Sequence, residues 1–344
     1  MAVLMLRDAP VYDIAKDIVL NAQLSPFTPL QHDTKKTYET WRKNRAYLKS
    51  NRMAERVIAQ AGGYDTKEAR RRLSLSDGYW VKYKHDNDTL FGSITPYINP
   101  FSVLYTQRGT ARSSSVPEAV IGGSQPKQWK RGSDGVVFMQ KTETPQQVHA
   151  EMLAVKLAQK CAIPVMDAFV EAEAETENDG RIYANQYTKQ LPYGVINLVN
   201  MTSTAHSLIP LDQLGIWVNG YNPASVAEGY AKAGVTGDPL PAAILQVVFD
   251  GIIGNIDRET NNSNWAVFMD NCTGARTASA MYDFNWANLR SINEINISTI
   301  AGFIKKANVN EIAIAHAVGI GKNCDDLGLE VWATNAKLFV SVLS

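Results

Sequence analysis

The segment Leu240–Asn255, LPAAILQVVFDGIIGN, is apolar around most of its circumference, and a loop dense in Asp and Asn follows it at once. A helix with no polar face cannot lie on a surface, so this one must be buried among other elements. After the loop, NWAVFMD and ARTASAMYD flank the turn NCTG and predict a β-hairpin that returns the chain to Asp283. At 344 residues, 45% of them hydrophobic, the chain has apolar material for one large core or two smaller ones.

Around that segment the pattern changes along the chain. The first third reads as mainly helical, and Lys35–Arg72 carries twelve Lys or Arg against four acids. Such a stretch fits a phosphate- or nucleic-acid-binding face, or a solvated helix docked by its apolar side; no groove-reading motif accompanies the charge. From Leu73 the period becomes strand-like: LSLSDGYWVKYK, then two runs joined by RGSDG, the second being GVVFMQKT. A helix over TPQQVHAEMLAVKLAQKCA is predicted by the Thr144 cap, Pro145 in the first turn and apolar residues at helical spacing. VMDAFVEAEAETENDGRIYANQYT reads as two strands around an acidic tip, and the rest as helix with the hairpin embedded in it. The expected organisation is a helical, basic extension over 1–72, a strand-rich lobe over 73–188 and a mainly helical lobe over 189–344, with the crossing near Gln186–Leu191.

Several chemistries are excluded. Cys161, Cys272 and Cys324 lie far apart with no CxxC pair, which rules out a disulfide scaffold and fits a reducing cytoplasm. The five histidines form no HExxH or HxH pair. GIGKN at Gly319–Asn323 lacks the first glycine and the hydroxyl of a phosphate loop, and reads as a helix-ending turn. Neither a signal peptide nor a membrane span is expected. The 34 basic and 34 acidic side chains cancel, so overall charge predicts no polyanionic partner.

What remains is the loop. Magnesium prefers carboxylate, amide and phosphate oxygens, and phosphoryl transfer needs a carboxylate to orient the attacking hydroxyl. Asp257, Asn262 at D-x4-N spacing, and Asp283 in YDFN form the arrangement that protein kinases use, in which a hairpin returns the second Asp beside the loop. Asp and Asn are also ordinary cap and turn formers. Upstream, Lys141 ends a predicted strand and Glu151 lies in the next helix, as a lysine–glutamate pair over the phosphates requires. Lys130 on the preceding strand is a competing lysine. IGGSQPKQW offers backbone N–H groups to phosphates at Gly123 and Ser124, or only a turn.

Taken in order, LSLSDGYWVK, GGSQPKQWKRGSDGVVFMQK, AEMLAVKLA, FDGIIGNIDRETNN and MYDFNWA resemble the HipA-like serine/threonine protein kinases, a bacterial family, over about Leu73–Ala287. The resemblance implies an α+β, two-lobed protein-kinase-like fold and ATP- and Mg2+-dependent phosphorylation of a protein Ser or Thr. By position, Asp257 is the catalytic aspartate and Asn262 and Asp283 hold magnesium. Lys141 meets the phosphates, Glu151 supports it, and Gln186, Tyr187 and Thr188 form the adenine-facing hinge. The resemblance also implies autophosphorylation near the phosphate-binding loop, where Ser113, Ser114, Ser115 and Ser124 lie, and pairing with a small DNA-binding antitoxin rather than direct nucleic-acid binding. Three positions depart from the family pattern. Glu259 stands for the usual His, Ser263-Asn264-Trp265 follow the loop Asn, and Asn285 stands for a glycine. Glu259 favours the alternative reading, a nucleotide-binding regulator with little or no turnover.

Overall fold

In the computed structural model, which describes residues 2–27, 34–46, 77–95, 105–106, 127–131, 137–171, 194–199, 205–291 and 294–344, the chain opens with strands. They are β1 (Ala2–Leu6), β2 (Ala9–Asp13) and β3 (Ile18–Val19). Together with β4 (Tyr79–Tyr83) they make an antiparallel sheet in the order β3-β2-β1-β4. The helical expectation therefore fails over residues 2–19. The strand state of β1 depends on β4, with Leu4 opposite Val81 and Met5 opposite Trp80, and a partner so far along the chain leaves no trace in local periodicity. Helix α1 (Thr34–Ala46) is present as expected and sets Tyr38 and Trp41 among Tyr12, Phe27 and Tyr79. Residues 47–72 of the basic stretch lie outside the described residues.

A second antiparallel sheet runs β5-β6-β7-β9-β8. Its strands are β5 (Tyr105–Thr106), β6 (Lys127–Arg131), β7 (Val137–Glu143), β8 (Asp167–Glu171) and β9 (Gly194–Val199). Helix α2 (Pro145–Lys160) follows β7. The Thr144 hydroxyl accepts from the Gln147 N–H at 3.3 Å while the Gln147 side chain accepts from the Thr144 N–H at 3.2 Å, a reciprocal cap that fixes where the helix starts. Strand β9 lies past the boundary expected at 188/189. The chain leaves this sheet after Val199, and the acidic tip and Gln186–Leu191 fall between β8 and β9, outside the described residues.

The remaining chain holds a three-stranded sheet, β10 (His206–Pro210), β11 (Ala266–Asp270) and β12 (Arg276–Ala278), with β11 in the centre. The hairpin β11–β12 was expected; β10 was not. Asp283 does not end β12 but lies five residues beyond it, after Met281 has bridged to Val165. The helices are α3 (Pro223–Lys232), α4 (Leu240–Ile253), the single turn α5 (Asp257–Thr260), α6 (Glu294–Ala307), α7 (Asn310–Asp326) and α8 (Glu330–Leu343). GIGKN runs inside α7 and ends nothing. Helix α4 is buried as its composition demands, packed against α3, α6, α7 and α8, with Val247, Val248, Phe249, Ile252 and Ile253 fully enclosed. Gly254 closes it in the left-handed region, φ 69°, a conformation that suits glycine and turns the chain sharply into the loop.

The first sheet is fastened to the third by side chains. The Arg276 guanidinium donates to the carbonyls of Ser25 and Ala233, and the Gly78 N–H donates to the Ser207 hydroxyl at 3.2 Å. No helix among the described residues is long and apolar enough to cross a membrane.

Candidate phosphotransfer site

Strand β7 carries the first charged group. Residues two apart on a strand share a face, so Lys141 and Glu143 both point inward, and both are buried. Helix α2, started by its cap, brings Glu151 opposite them. The Lys141 ammonium lies 2.9 Å from Glu151, 3.0 Å from Glu143 and 2.8 Å from Asp283. Burial by itself would lower the Lys141 pKa, but Asp283, Glu143 and Glu151 outweigh it and hold the ammonium charged. Glu151 is shifted upward, first by burial and then by the neighbouring carboxylates, against the pull of Lys141.

Asp283 arrives on the segment that follows β12 and the Met281 bridge. Its backbone is left-handed, φ 66°, which Asp tolerates better than most side chains. Contacts on both sides keep it there: Asn255 Nδ2 donates to the Asp283 carbonyl at 3.4 Å, and the Phe284 N–H donates to Glu151 at 3.4 Å. The left-handed residue is thus Asp283 itself, not Asn285, which shows no positive φ. Asn285 instead donates its side-chain amide to Glu143 Oε1 at 2.9 Å.

The loop is organised by Arg258, which is buried. Its Nε donates to Asp250 of α4 at 2.7 Å, one terminal nitrogen donates to the Asn264 carbonyl, and the other to the Tyr282 carbonyl at 2.6 Å. The rings of Trp265, Tyr282 and Phe284 surround the guanidinium at 5.4, 5.9 and 5.6 Å. One side chain therefore ties the buried helix, the end of the loop and the residue before Asp283 into one unit. The loop backbone lies so close to Gly220 that a Cβ there would meet the Arg258 carbonyl at 2.3 Å. Asp257, beside Arg258, is half-buried, and its Oδ2 accepts from Asn264 at 2.7 Å and Asn261 at 3.1 Å. Glu259, by contrast, is exposed.

Of the residues singled out in the sequence, the structure brings Lys141, Glu151 and Asp283 together, and it places Asp257 on the Arg258-centred loop beside them. Asn262 does not join: its carboxamide oxygen accepts from the Val218 N–H at 2.7 Å and serves the backbone. The single turn α5 and the 3-10 turn 262–264 rotate Asn262 inward and present Asn264 to Asp257 in its place. Gly123, Ser124, Gln186, Tyr187 and Thr188 lie outside the described residues, as do Ser113, Ser114 and Ser115. So does the side chain of Lys130, whose backbone pairs with Phe138. Sequence reasoning missed Glu143, Arg258, Asp250 and Asn264 as parts of the site. Asp250 had a signal: a lone charge in a helix otherwise apolar all round must have a buried partner.

Among the described residues, carboxylate oxygens of Glu143, Glu151 and Asp283 lie within 4.8 Å of one another, hard donors of the kind that suits magnesium or manganese. Neither a protein-family model nor a curated protein matches the chain. Solved structures do. A HipA chain from the Shewanella oneidensis MR-1 toxin–antitoxin complex of HipA, HipB and operator DNA matches all of this chain over 96% of its own length, with a TM-score of 0.55 and 12% identity. The Helicobacter pylori proinflammatory kinase CtkA is 11% identical and covers 63% of this chain and 88% of its own, with a TM-score of 0.41. The full-length match to HipA, together with the antiparallel β5–β9 sheet and the helical layer around α4, gives this chain the α+β, two-lobed fold of a HipA-like kinase.

Proposed function

We propose that the protein is a HipA-like serine/threonine protein kinase that transfers the γ-phosphoryl group of ATP to a hydroxyl of a protein. The observation that carries this reading is the convergence of Lys141, Glu151 and Asp283 from a strand, a helix and a post-hairpin segment onto contacts of 2.8–2.9 Å. Residues 142 positions apart in the chain meet in the arrangement that phosphoryl transfer needs. Asp257, aligned by Asn264 and Asn261, orients the acceptor hydroxyl and receives its proton. Lys141 engages phosphate oxygens, and Glu151 keeps it aimed. Asp283 and Asn264 would hold magnesium, with Asn264 taking the part first assigned to Asn262. When bound, magnesium offsets the charge of the phosphates. Gln186, Tyr187 and Thr188, which lie outside the described residues, are proposed as the adenine-facing hinge. By analogy with the HipA neighbour, which was solved with HipB and operator DNA, a small DNA-binding protein is the proposed partner. Autophosphorylation at Ser113, Ser114, Ser115 or Ser124 belongs to the same proposal.

The test is purified protein with magnesium and γ-labelled ATP, followed by mass spectrometry of the labelled residue. Asp257→Ala should lower transfer on the order of 10²–10⁴-fold while leaving nucleotide binding intact. Asp283→Ala should weaken magnesium–ATP binding itself. Nucleotide binding without transfer to any acceptor would favour the regulator reading, and absence of nucleotide binding by the wild type would overturn both.

A further inference from the structure

Asp257 stands on the turn α5 among side chains that the phosphotransfer reading does not use. Arg258 is buried, whereas Ile256 and Glu259 are exposed, Ile256 at 46%. Their three-residue spacing, with the Glu259 N–H donating to the Ile256 carbonyl at 3.3 Å, sets them on one face of the turn. A second segment lies along the same loop. The Gly220 N–H donates to the Glu259 carbonyl at 3.4 Å, and a Cβ on Gly220 would stand 2.9 Å from the Glu259 Cα. The Val218 N–H reaches Asn262 at 2.7 Å, and Trp217 beside it is 64% exposed. Single apolar residues on a surface need no explanation. Here an isoleucine and a tryptophan sit on two adjoining segments next to the aspartate proposed to orient the acceptor. The charge is one-sided as well. Between His206 and Ala275 the Lys and Arg residues are Lys232 and Arg258. Lys232 pairs with Glu228 at 2.7 Å, and Arg258 is buried with Nε and both terminal nitrogens in use. The Glu259 carboxylate has no hydrogen bond or ion pair among the described residues. Tyr221, on the Gly220 segment, has a buried hydroxyl without a hydrogen-bond partner there. Burial first, then Glu259 and Asp250, pushes its pKa upward, so the phenol beside Glu259 stays neutral.

We infer that Glu259, Ile256 and Trp217 select the acceptor, and that the acceptor is a Ser or Thr segment carrying Lys or Arg together with a large apolar side chain. The inference rests on the phosphotransfer reading, because Asp257 decides where the hydroxyl lies. Two positions along a helical turn span about 5–6 Å, a distance that one or two residues of extended peptide cover. With the hydroxyl at Asp257, a cationic side chain within about three residues of it meets Glu259. The apolar side chain of the same segment covers Ile256 and Trp217. The acid that stands at 259 in place of the usual His then marks a choice of acceptor rather than a loss of turnover.

The probes are synthetic peptides with a central serine: one with lysines and isoleucine beside it, one with glutamates and isoleucine, and one with lysines and alanine. Each is offered to full-length protein with magnesium and γ-labelled ATP, and binding of the fluorescein-tagged peptides is read separately by anisotropy. Wild type should label the lysine–isoleucine peptide with a kcat/KM about tenfold above the other two. Glu259→Gln should act on KM for that peptide, raising it about three- to fivefold, and added salt should shrink the difference. Glu259→Lys should turn the preference toward the glutamate peptide. Trp217→Ala, at an exposed position, should narrow the gap between isoleucine and alanine. Labelling that ignores peptide charge, or that Glu259→Lys leaves unaltered, would overturn the inference while the kinase reading stood. If no peptide is labelled, the anisotropy decides. Binding of the lysine–isoleucine peptide that Glu259→Lys abolishes would uphold the acceptor surface and count against turnover, and binding without charge preference would overturn the inference.

Discussion

Two buried cations hold this cleft, and their surroundings differ in kind. Arg258 faces one carboxylate, two carbonyls and three aromatic rings, so its charge is balanced and its donors are used. Lys141 faces three carboxylates, and beside it Glu143 Oε2 has no hydrogen-bond partner among the described residues. A buried cation held by one carboxylate and fixed carbonyls sets geometry, whereas one shared among several carboxylates can be re-divided when a ligand arrives. The difference separates the part of the site that positions the loop from the part that changes on binding.

The sharpest way to break this comparison is the same chemical change on each side. Asp250→Asn leaves Arg258 buried without its counter-charge and should cost on the order of 3–5 kcal/mol, read from urea denaturation. Glu143→Gln, also acid to amide, leaves Lys141 its contacts with Glu151 and Asp283 and should cost far less. Equal losses would end the distinction. Gly220→Ala comes next, since its Cβ would drive into the Arg258 carbonyl. A loss of about 1–3 kcal/mol, with lower activity in the surviving folded protein, would place the loop's geometry under the control of that contact.

The two asparagines divide along the same line. Asn264→Ala should reduce phosphoryl transfer by roughly 10–100-fold with a nearly unchanged melting temperature. Asn262→Ala strands the buried Val218 N–H, and its effect should fall on stability, about 1–3 kcal/mol. If Asn262→Ala were the variant that abolished magnesium–ATP binding, the reassignment to Asn264 would be wrong. The smallest effect lies far from both cations. Asp270 in the β11–β12 turn has its pKa lowered, chiefly by hydrogen bonds from the Thr273 N–H and hydroxyl and then from the Cys272 N–H. A carboxylate depressed in the folded state contributes stability above its unfolded pKa and loses it as pH falls through the folded one. Acidification below about pH 4 should therefore loosen this turn, and Asp270→Asn should flatten that part of the stability–pH curve.

Much of this was legible in the sequence where the cause is local. The Thr144–Pro145 start of α2, the all-round apolar α4 and the glycine that ends it are written in neighbouring residues. Lys141, Glu151, Asp257 and Asp283 stood out because their chemistry restricts which residue types can serve. The failures have a common physical origin in distant partners. Strand β1 exists because of β4, β9 is a strand because it pairs with β7 and β8, and Glu143 matters because of Asn285, 142 positions away. The choice between Asn262 and Asn264 turned on two residues of loop winding, which spacing alone cannot resolve.

The docking of residues 2–27 has a consequence for how the protein is made. Strand β1 leaves the ribosome early, but its partner β4 lies some 75 residues later, and the anchors Ser207 and Arg276 come later still. Residues 2–27 are thus made well before the residues that anchor them, and a nascent chain stopped before residue 205 should be clipped by protease within residues 2–27, whereas the chain that includes Arg276 should not. Translation supplies the parts in one order and assembly consumes them in another, so a pause in synthesis between residues 95 and 276 leaves the first sheet without the side chains that fasten it.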